Sequence, residues 1–367
     1  MLVRGGGTGR YMSPGYLVYS RADALLAQRM DLAHVSLVGS APAVLDERVL
    51  TEGEEGANYA ASDGGMLVYV AVGERRLDRR IVWVDRTGVV EPLPMPVRHY
   101  SELALSPDGQ RIAVQTEDGT HGVWIYDIAR ASLTALAITK GSSQAPVWST
   151  DAKHIAYRAT RNGSRTLFWK STDGTSEEER LTATATGTQT PSSWSPDGTT
   201  VAFSDSDEKN GLDIWLLNPA LGRTPTRFLG TVNQEWNTRF SPNGRWIAYQ
   251  STESGRTEVY VRPFPGPGPR QSISIEGGTE PVWSANGREL FYLHGDAMMA
   301  VGIAETPAFV AAAPRRLFQG QFRRSATSSS AYAVAKDGRF LRIQTVEPEG
   351  PTTHVHVVLN WFEELKR

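Results

Sequence analysis

Short runs of β-branched and aromatic residues alternate along the chain with turns made of Gly, Pro, Asp and Asn. The clearest block holds four such runs, at 103–105, 111–115, 123–127 and 133–137. Short runs of this composition, bounded by turn residues, are typical of β-strands. Because the same order of four runs returns through the chain, the pattern predicts an all-β protein made of four-stranded antiparallel units.

A turn phrase marks each unit. Proline presets φ, the Asp or Asn side chain closes the turn, and glycine takes the left-handed position. The phrase is Ser-Pro-Asp-Gly at 106–109 and 195–198, and it varies in the other copies, at 13–15, 62–65, 149–152, 241–244, 284–287 and 335–338. Seven of the Asp or Asn positions, from Asp63 to Asp337, lie 43 to 51 residues apart. One blade of a β-propeller has roughly 40–50 residues, so we predict a single β-propeller over residues 1–359.

The number of blades depends on how the ring closes. The last unit supplies three runs, at 332–335, 339–343 and 354–359, so its fourth strand has to come from the N-terminal side. Eight blades close if residues 1–4 supply that strand, and six close if residues 89–93 supply it and residues 1–85 form a partial array. A seven-bladed ring would leave out the first unit. We favour eight blades because that ring uses every residue.

The C-terminal residues predict a different element. In the segment 360–367, Asn360 can cap a helix and Glu363 follows three residues later, which is the capping-box arrangement. We therefore predict a short C-terminal helix over these residues.

Composition limits the kinds of partner and binding site that this chain can have. The 367 residues include 38 basic and 40 acidic side chains, for a net charge of −2, so no electrostatic footprint for nucleic acid is present. The absence of cysteine excludes disulfides and thiolate metal sites. No apolar run reaches the roughly 20 residues that span a bilayer, and the N-terminus lacks the apolar core of a signal peptide. We expect a monomer without a nucleic-acid partner or a membrane segment in this chain.

The repeats resemble a known family. A strand followed by Trp-Ser-Pro-Asp-Gly and then a strand such as Val201-Ala202-Phe203 resembles the WD40-like, TolB-type (PD40) propeller repeat. The stretches 15–32, 259–268, 277–301 and 357–367 are similar to the propeller region that follows the kinase domain and membrane helix of bacterial serine/threonine protein kinases. That resemblance implies a sensor or protein-interaction role and a periplasmic or extracytoplasmic location. The kinase motifs themselves, including HRD and DFG, are absent from the sequence.

Sequence motifs for chemistry are few. Five serines recur at the first position of the turn in successive units, which indicates a structural role, and no serine lies in a GxSxG motif. These serines are Ser106, Ser149, Ser195, Ser241 and Ser284. Asp205 and Asp207 place carboxylates at alternate positions before Gly211, as a calcium loop does. Lys209 occupies the place of a third oxygen ligand, so a polar hairpin loop is the favoured interpretation and metal binding the weaker one. We predict no catalytic residue and no cofactor.

Two classes of function fit this pattern. The first is a non-catalytic platform that binds a protein or small-molecule ligand at a propeller face or in the channel. The second is a propeller hydrolase or lyase, or the gating propeller of a serine peptidase without its catalytic domain. Polar residues near the innermost strands predict a ring around one channel opening, and these candidate ligand-binding residues are Glu102, Gln144, Gln189, Glu235 and Glu280.

Overall fold

Strands dominate the chain. The computed structural model describes residues 9–12, 15–21, 24–39, 44–45, 49, 59–62, 64–70, 78–117, 121–138, 142–183, 187–207, 211–305, 308–325, 329–346 and 355–361. These residues contain one helical element, a 3₁₀ turn at Pro219–Leu221. No helix among them has the length and apolar character needed to cross a membrane.

The strands follow one another in antiparallel hairpins. The first sixteen are β1 (Gly9–Met12), β2 (Tyr16–Arg21), β3 (Ala24–Asp31), β4 (Ser36–Val38), β5 (Tyr59–Ala61), β6 (Met66–Val70), β7 (Arg79–Val84), β8 (Val90–Pro92), β9 (Tyr100–Leu105), β10 (Arg111–Thr116), β11 (Gly122–Asp127), β12 (Ser132–Ala137), β13 (Ser143–Trp148), β14 (His154–Arg161), β15 (Ser164–Ser171) and β16 (Glu179–Arg180). The others are β17 (Thr188–Trp194), β18 (Val201–Asp207), β19 (Gly211–Leu217), β20 (Thr226–Leu229), β21 (Glu235–Phe240), β22 (Trp246–Ser251), β23 (Glu258–Pro263), β24 (Gln271–Ser272), β25 (Thr279–Trp283), β26 (Glu289–His294), β27 (Ala297–Ala304), β28 (Val310–Ala311), β29 (Arg315–Gln319), β30 (Tyr332–Val334), β31 (Phe340–Thr345) and β32 (Val355–Leu359). The four runs predicted between residues 103 and 137 are confirmed as β9 to β12.

Backbone contacts divide the chain into two compact units, Met1–Arg76 with Glu347–Arg367 and Leu77–Val346. This division differs from the single propeller that the sequence predicted over residues 1–359. The first unit contains a sheet of β1 to β4 and a sheet in which β6 pairs with both β5 and β32. Buried side chains from both sheets, including Val18, Leu25 and Leu67, form one apolar core with Trp361.

The second unit is a closed ring of six antiparallel sheets. Five of them are consecutive in sequence and begin with β9, β13, β17, β21 and β25, and the sixth has the order β30-β31-β7-β8. One parallel residue pair, Arg165 opposite Thr188, joins the sheets that begin with β13 and β17. The innermost strands contact one another in sequence order, and β30 contacts β9. Closing the ring in this way covers the sheet edges that would otherwise be free to pair.

The sixth sheet corrects the favoured route of closure. Residues 1–4 lie outside the described residues, and the closing strands come from β7 and β8. The six-blade alternative predicted a closing strand at residues 89–93, where β8 lies, but left β7 in the partial array. Six residue pairs join the two ends, from Phe340 opposite Val84 to Thr345 opposite Arg79. The run at 354–359 was predicted to continue the last blade, but β32 pairs with β6 in the first unit.

Apolar side chains fill the space between neighbouring sheets of the ring. Each layer mixes residues from two sheets, as where Phe291 of β26 packs with Phe340 of β31 and Val84 of β7. Six such layers occur among the described residues of the second unit, one for each pair of neighbours. Burial of apolar area therefore holds each sheet against the next.

All eight predicted turns are present as hydrogen-bonded turns. In each, the N–H of the last residue donates to the carbonyl of the residue three positions earlier, at 2.8 to 3.1 Å. Six of these turns lie in the ring, and two, ending at Gly15 and Gly65, lie in the first unit. The number of turns in the sequence is therefore larger than the number of sheets in the ring. Of the predicted helix over 360–367, residues 362–367 lie outside the described residues.

Candidate ligand-binding channel

The innermost strands of the ring enclose a cavity of about 350 Å³. Side chains alternate between the two faces of a strand, and the residue directly before each turn packs between sheets, as Trp148 and Trp283 do. The residue two positions before each turn therefore faces the axis of the ring. All six residues at that position line the cavity: Ala104, Val147, Ser193, Arg239, Val282 and Ala333. Five are small or apolar and one is an arginine.

Turn residues form one end of the cavity, and their side chains hold the turns in shape. Ser195 Oγ donates to Asp197 Oδ1 at 2.5 Å and accepts the Thr200 N–H at 2.9 Å. The same two bonds occur at the other four serine turns of the ring. The structural role predicted for the recurring serines, to hold the turns by hydrogen bonds, is confirmed. At this end Lys336 is exposed beside the cavity.

The Arg239 side chain extends away from the turns toward Ser330 and the charge of Glu102, and we call this part of the channel the deep end. Its Nη2 donates to Ser330 Oγ at 2.9 Å, and its remaining exposed surface faces the cavity. Burial lowers the pKa of Arg239 to about 10, although Tyr332, Glu280 and Glu102 oppose that shift. The guanidinium is therefore still a cation at neutral pH, inside a largely apolar channel.

Glu280 holds the segment before β30 in place. Its two carboxylate oxygens accept the N–H groups of Ser325 at 2.8 Å and Ala331 at 2.7 Å. Its carbonyl accepts the Tyr332 hydroxyl at 2.7 Å. Burial raises the pKa of Glu280 above its ordinary value, against the effect of these two N–H groups. Glu280 is therefore near the deep end, where it binds the protein's own backbone.

Glu102 and Gln144 lie on neighbouring inner strands. Glu102 lines the cavity, and its Oε1 accepts the Ser325 hydroxyl at 3.4 Å. Gln144 Oε1 accepts from Arg158, which also donates to Thr190 Oγ1 at 2.9 Å. Burial lowers the pKa of Arg158, and the charge of Glu102 opposes that shift. Arg158 therefore links two consecutive sheets by hydrogen bonds near the axis, and Glu102 of a third sheet acts on it through its charge.

Gln189 bonds to Asp205 of its own sheet and to Thr182, which lies between β16 and β17. Its Nε2 donates to Asp205 Oδ2 at 3.0 Å, and its Oε1 accepts from Thr182 at 2.5 Å. Asp205 is buried, whereas the side chain of Asp207 and residues 208–210 lie outside the described residues. Within the described part of the chain, no three His, Cys, Asp or Glu side chains are grouped to hold a metal ion. Metal binding by Asp205 and Asp207 stays a prediction.

Glu235 belongs to a separate polar cluster. Its carboxylate accepts the Thr231 hydroxyl at 2.6 Å and the Thr231 N–H at 3.2 Å. Burial raises the pKa of Glu235, and the charges of Asp213 and Glu253 act in the same direction. Gln189 and Glu235 stand six residues before their turn serines, two residues farther from the turn than Glu102 and Glu280. Of the five predicted residues, Glu102 lines the cavity, and the polar ring is not continuous around it.

Sequence reasoning missed Arg239, Ser330 and Tyr332. Ser330 and Tyr332 precede the most eroded turn of the ring, so no repeat signal marks them. Arg239 did carry a signal, because it is the charged member of a set of equivalent positions that are otherwise small or apolar. This difference in residue type is visible when the sequences of the inner strands are aligned on their turn serines.

The chain was compared with known families and structures. No family model matches it. A TolB-like protein from Agrobacterium tumefaciens superposes with a TM-score of 0.60 and 16% identity over 74% of this chain and 99% of that chain. TolB from Acinetobacter baumannii gives 0.52 and 16% over 86% and 80%. An oligogalacturonate lyase in complex with manganese gives 0.51 and 13% over 94% and 99%. At these identities the likeness shows the fold alone: the chain contains a β-propeller similar to that of TolB.

Proposed function

We propose that the chain is a non-catalytic binding protein whose ring takes up a ligand in its central channel. One observation carries this proposal. Six equivalent strand positions line a cavity of about 350 Å³, and five of them are small or apolar. Ligand sites are typically concave, mostly apolar and supplied with a few placed polar groups, with volumes of about 300–1,000 Å³. The channel has that composition and lies within that range.

The titratable groups at the deep end favour binding over catalysis. The Tyr332 hydroxyl donates to the Glu280 carbonyl at 2.7 Å, and burial raises the pKa of Tyr332 well above its ordinary value. Tyr332 is therefore a neutral phenol whose proton is engaged within the protein. The oligogalacturonate lyase shares the propeller fold with this chain, but a shared fold does not imply a shared activity.

The resemblance of the repeats to kinase-associated propellers supports a cellular system in which this binding role would operate. We propose that the chain is the sensor or scaffold part of a bacterial signalling or envelope system. An immunoblot of the source cells with an antibody against the ring tests this. A membrane-associated band much larger than the 40.2 kDa of this chain supports a sensor attached to a larger receptor. A free band of that mass would refute the attachment.

A matched pair of substitutions tests the channel itself. Ala333→Trp places an indole in the cavity, whereas Ala135→Trp makes the same change at an exposed position of β12. The probes are 3-phenylpropionate, 3-phenylpropanamide and 3-phenylpropylamine, which share an apolar body and differ in charge. We expect saturation transfer from the native chain to at least one probe, its loss in Ala333→Trp and its retention in Ala135→Trp. Binding that survives in Ala333→Trp, or no binding of any probe, would refute the proposal.

A further inference from the structure

At the deep end of the channel, Arg239 has more N–H donors than the described protein residues accept. A guanidinium has five N–H donors, and among the described residues Ser330 Oγ is the acceptor found within hydrogen-bond distance of Arg239. The rest of the side chain faces the cavity. Arg239 is half-buried, so its remaining donors can bond to water in the channel. A ligand that displaces this water has to supply acceptors, because a cationic donor that is kept from water without a hydrogen bond is costly.

Charge near this end also favours an anion. Arg342 lies behind Tyr332, with its guanidinium carbon 5.3 Å from the ring centre, and Arg158 bridges the neighbouring inner strands. With Arg239 these make three cations near the axis, of which Arg342 is buried and Arg158 and Arg239 are half-buried. The carboxyl groups of Glu102 and Glu280 lie among them, and the charge of Asp296 acts on Arg342. Low-dielectric walls focus the field of Arg239, which faces the cavity, on the anionic group of a ligand.

The walls and the volume define the rest of the ligand. Leu103, Leu105, Val147, Val282 and Val334 line the cavity between the arginine and the turns. The cavity volume of about 350 Å³ lies near the lower bound of the roughly 300–1,000 Å³ that is typical of small-molecule sites. The space therefore suits a small molecule with a mainly apolar body.

From this geometry we propose that the channel binds a small carboxylate, whose anionic group bonds to Arg239 and whose apolar body lies against the wall. A planar guanidinium matches a carboxylate with two parallel N–H···O bonds, which are stronger than bonds between neutral groups. This inference rests on the proposed function, since it names the class of ligand for the same channel. It assigns Arg239 as the residue that determines specificity.

The test compares an acid with its amide. We expect the native chain to bind 3-phenylpropionate about tenfold or more tightly than 3-phenylpropanamide in calorimetric titrations, as a charge-assisted pair implies. Arg239→Met keeps a long apolar side chain in place, and we expect it to bind both probes with the lower affinity. Arg288→Gln removes the same charge from an exposed turn outside the cavity and is the matched control. We expect it to keep the preference.

The outcomes separate the two proposals. If the amide binds as tightly as the acid, and Ala333→Trp abolishes both, the channel is a binding site but the carboxylate assignment is wrong. A preference for the acid that persists in Arg239→Met would also overturn the assignment. If Arg239→Met does not fold, Arg239→Lys replaces it, with a weakened but retained preference expected. The comparison of acid with amide on the native chain needs no variant.

Discussion

Three tryptophans at equivalent positions differ in one hydrogen bond. Trp148 Nε1 donates to the Ala104 carbonyl of the neighbouring sheet at 3.0 Å, and Trp283 Nε1 donates to the Arg239 carbonyl at 3.1 Å. Trp194 Nε1 is buried without a hydrogen-bond partner among the described residues. The three side chains are buried to similar degrees, with 6%, 7% and 8% exposure for Trp148, Trp283 and Trp194. Replacement of each by phenylalanine therefore isolates the bond between sheets.

The expected difference follows from hydrogen-bond energetics. All three substitutions remove the same atoms at similar burial, so most of the packing loss cancels in the comparison. Trp148 also lies 4.8 Å from the guanidinium carbon of Arg111, and Trp194 stacks on Trp169 at 6.1 Å, contacts that a phenylalanine ring can still make. Trp148→Phe and Trp283→Phe also lose a hydrogen bond with a net value of about 1 kcal/mol. Trp194→Phe instead removes a buried N–H that has no protein partner, which relieves about 1 kcal/mol. The free energy of unfolding should fall by about 2 kcal/mol more at positions 148 and 283 than at position 194.

Urea denaturation of the native chain and the three variants measures this difference. Because the comparison needs a constant m-value, variants are compared by the midpoint at equal slope. In scanning calorimetry the same difference should separate the midpoint temperatures by about 4–8 °C for a unit of this size. Equal destabilisation by all three substitutions would refute the role of the indole N–H groups in holding neighbouring sheets together.

Two further predictions concern the turns. The Ser195 hydroxyl and backbone N–H groups donate to the Asp197 carboxylate and lower its pKa, so its contribution to stability is present above about pH 4 and lost as pH falls through the lowered pKa. We expect Asp197→Asn to flatten the fall in urea midpoint between neutral and strongly acidic pH, and an unchanged fall would contradict this. Gly198 and Gly109 both have positive φ, but an added Cβ at Gly198 meets Thr150 Oγ1 at 2.6 Å whereas one at Gly109 meets no atom within 4 Å. Alanine should therefore cost about 1 kcal/mol at Gly109 and more at Gly198; Thr150→Ala should remove the excess, and equal costs at the two glycines would show that the contact is unimportant.

The turns and strands of this protein were predictable because their causes are local. Five of the eight turns combine a serine, an Asp or Asn and a glycine within four residues, and each of the other three keeps two of these residue types. Their own hydrogen bonds and φ values determine the turns. The structure places a hydrogen-bonded turn at all eight predicted positions. The strands around them follow from alternating apolar runs, and β9 to β12 lie within a few residues of the predicted bounds.

The route of ring closure was not predictable in the same way. Both β7 and residues 1–4 are short segments that a sheet edge can accept, and no local signal distinguishes them. The choice depends on which segment fills the apolar layers beside it, and Val82 and Val84 of β7 do so against Phe340. Contacts between residues far apart in sequence therefore decide that β32 leaves the ring and pairs with β6.

The candidate site, too, was predictable from the sequence only in part. The sequence shows which residues depart from the repeat, and Arg239 is one of them, but not where each side chain points. A shift of one or two residues along a strand changes the face or the depth of a side chain, which separates Glu102, at the cavity, from Gln189 and Glu235, bonded elsewhere. The repeat in the sequence determined that this chain builds a propeller; the tertiary structure decided which sheets form the ring and which charges face its channel, because strand pairing, depth and burial depend on residues distant in the sequence.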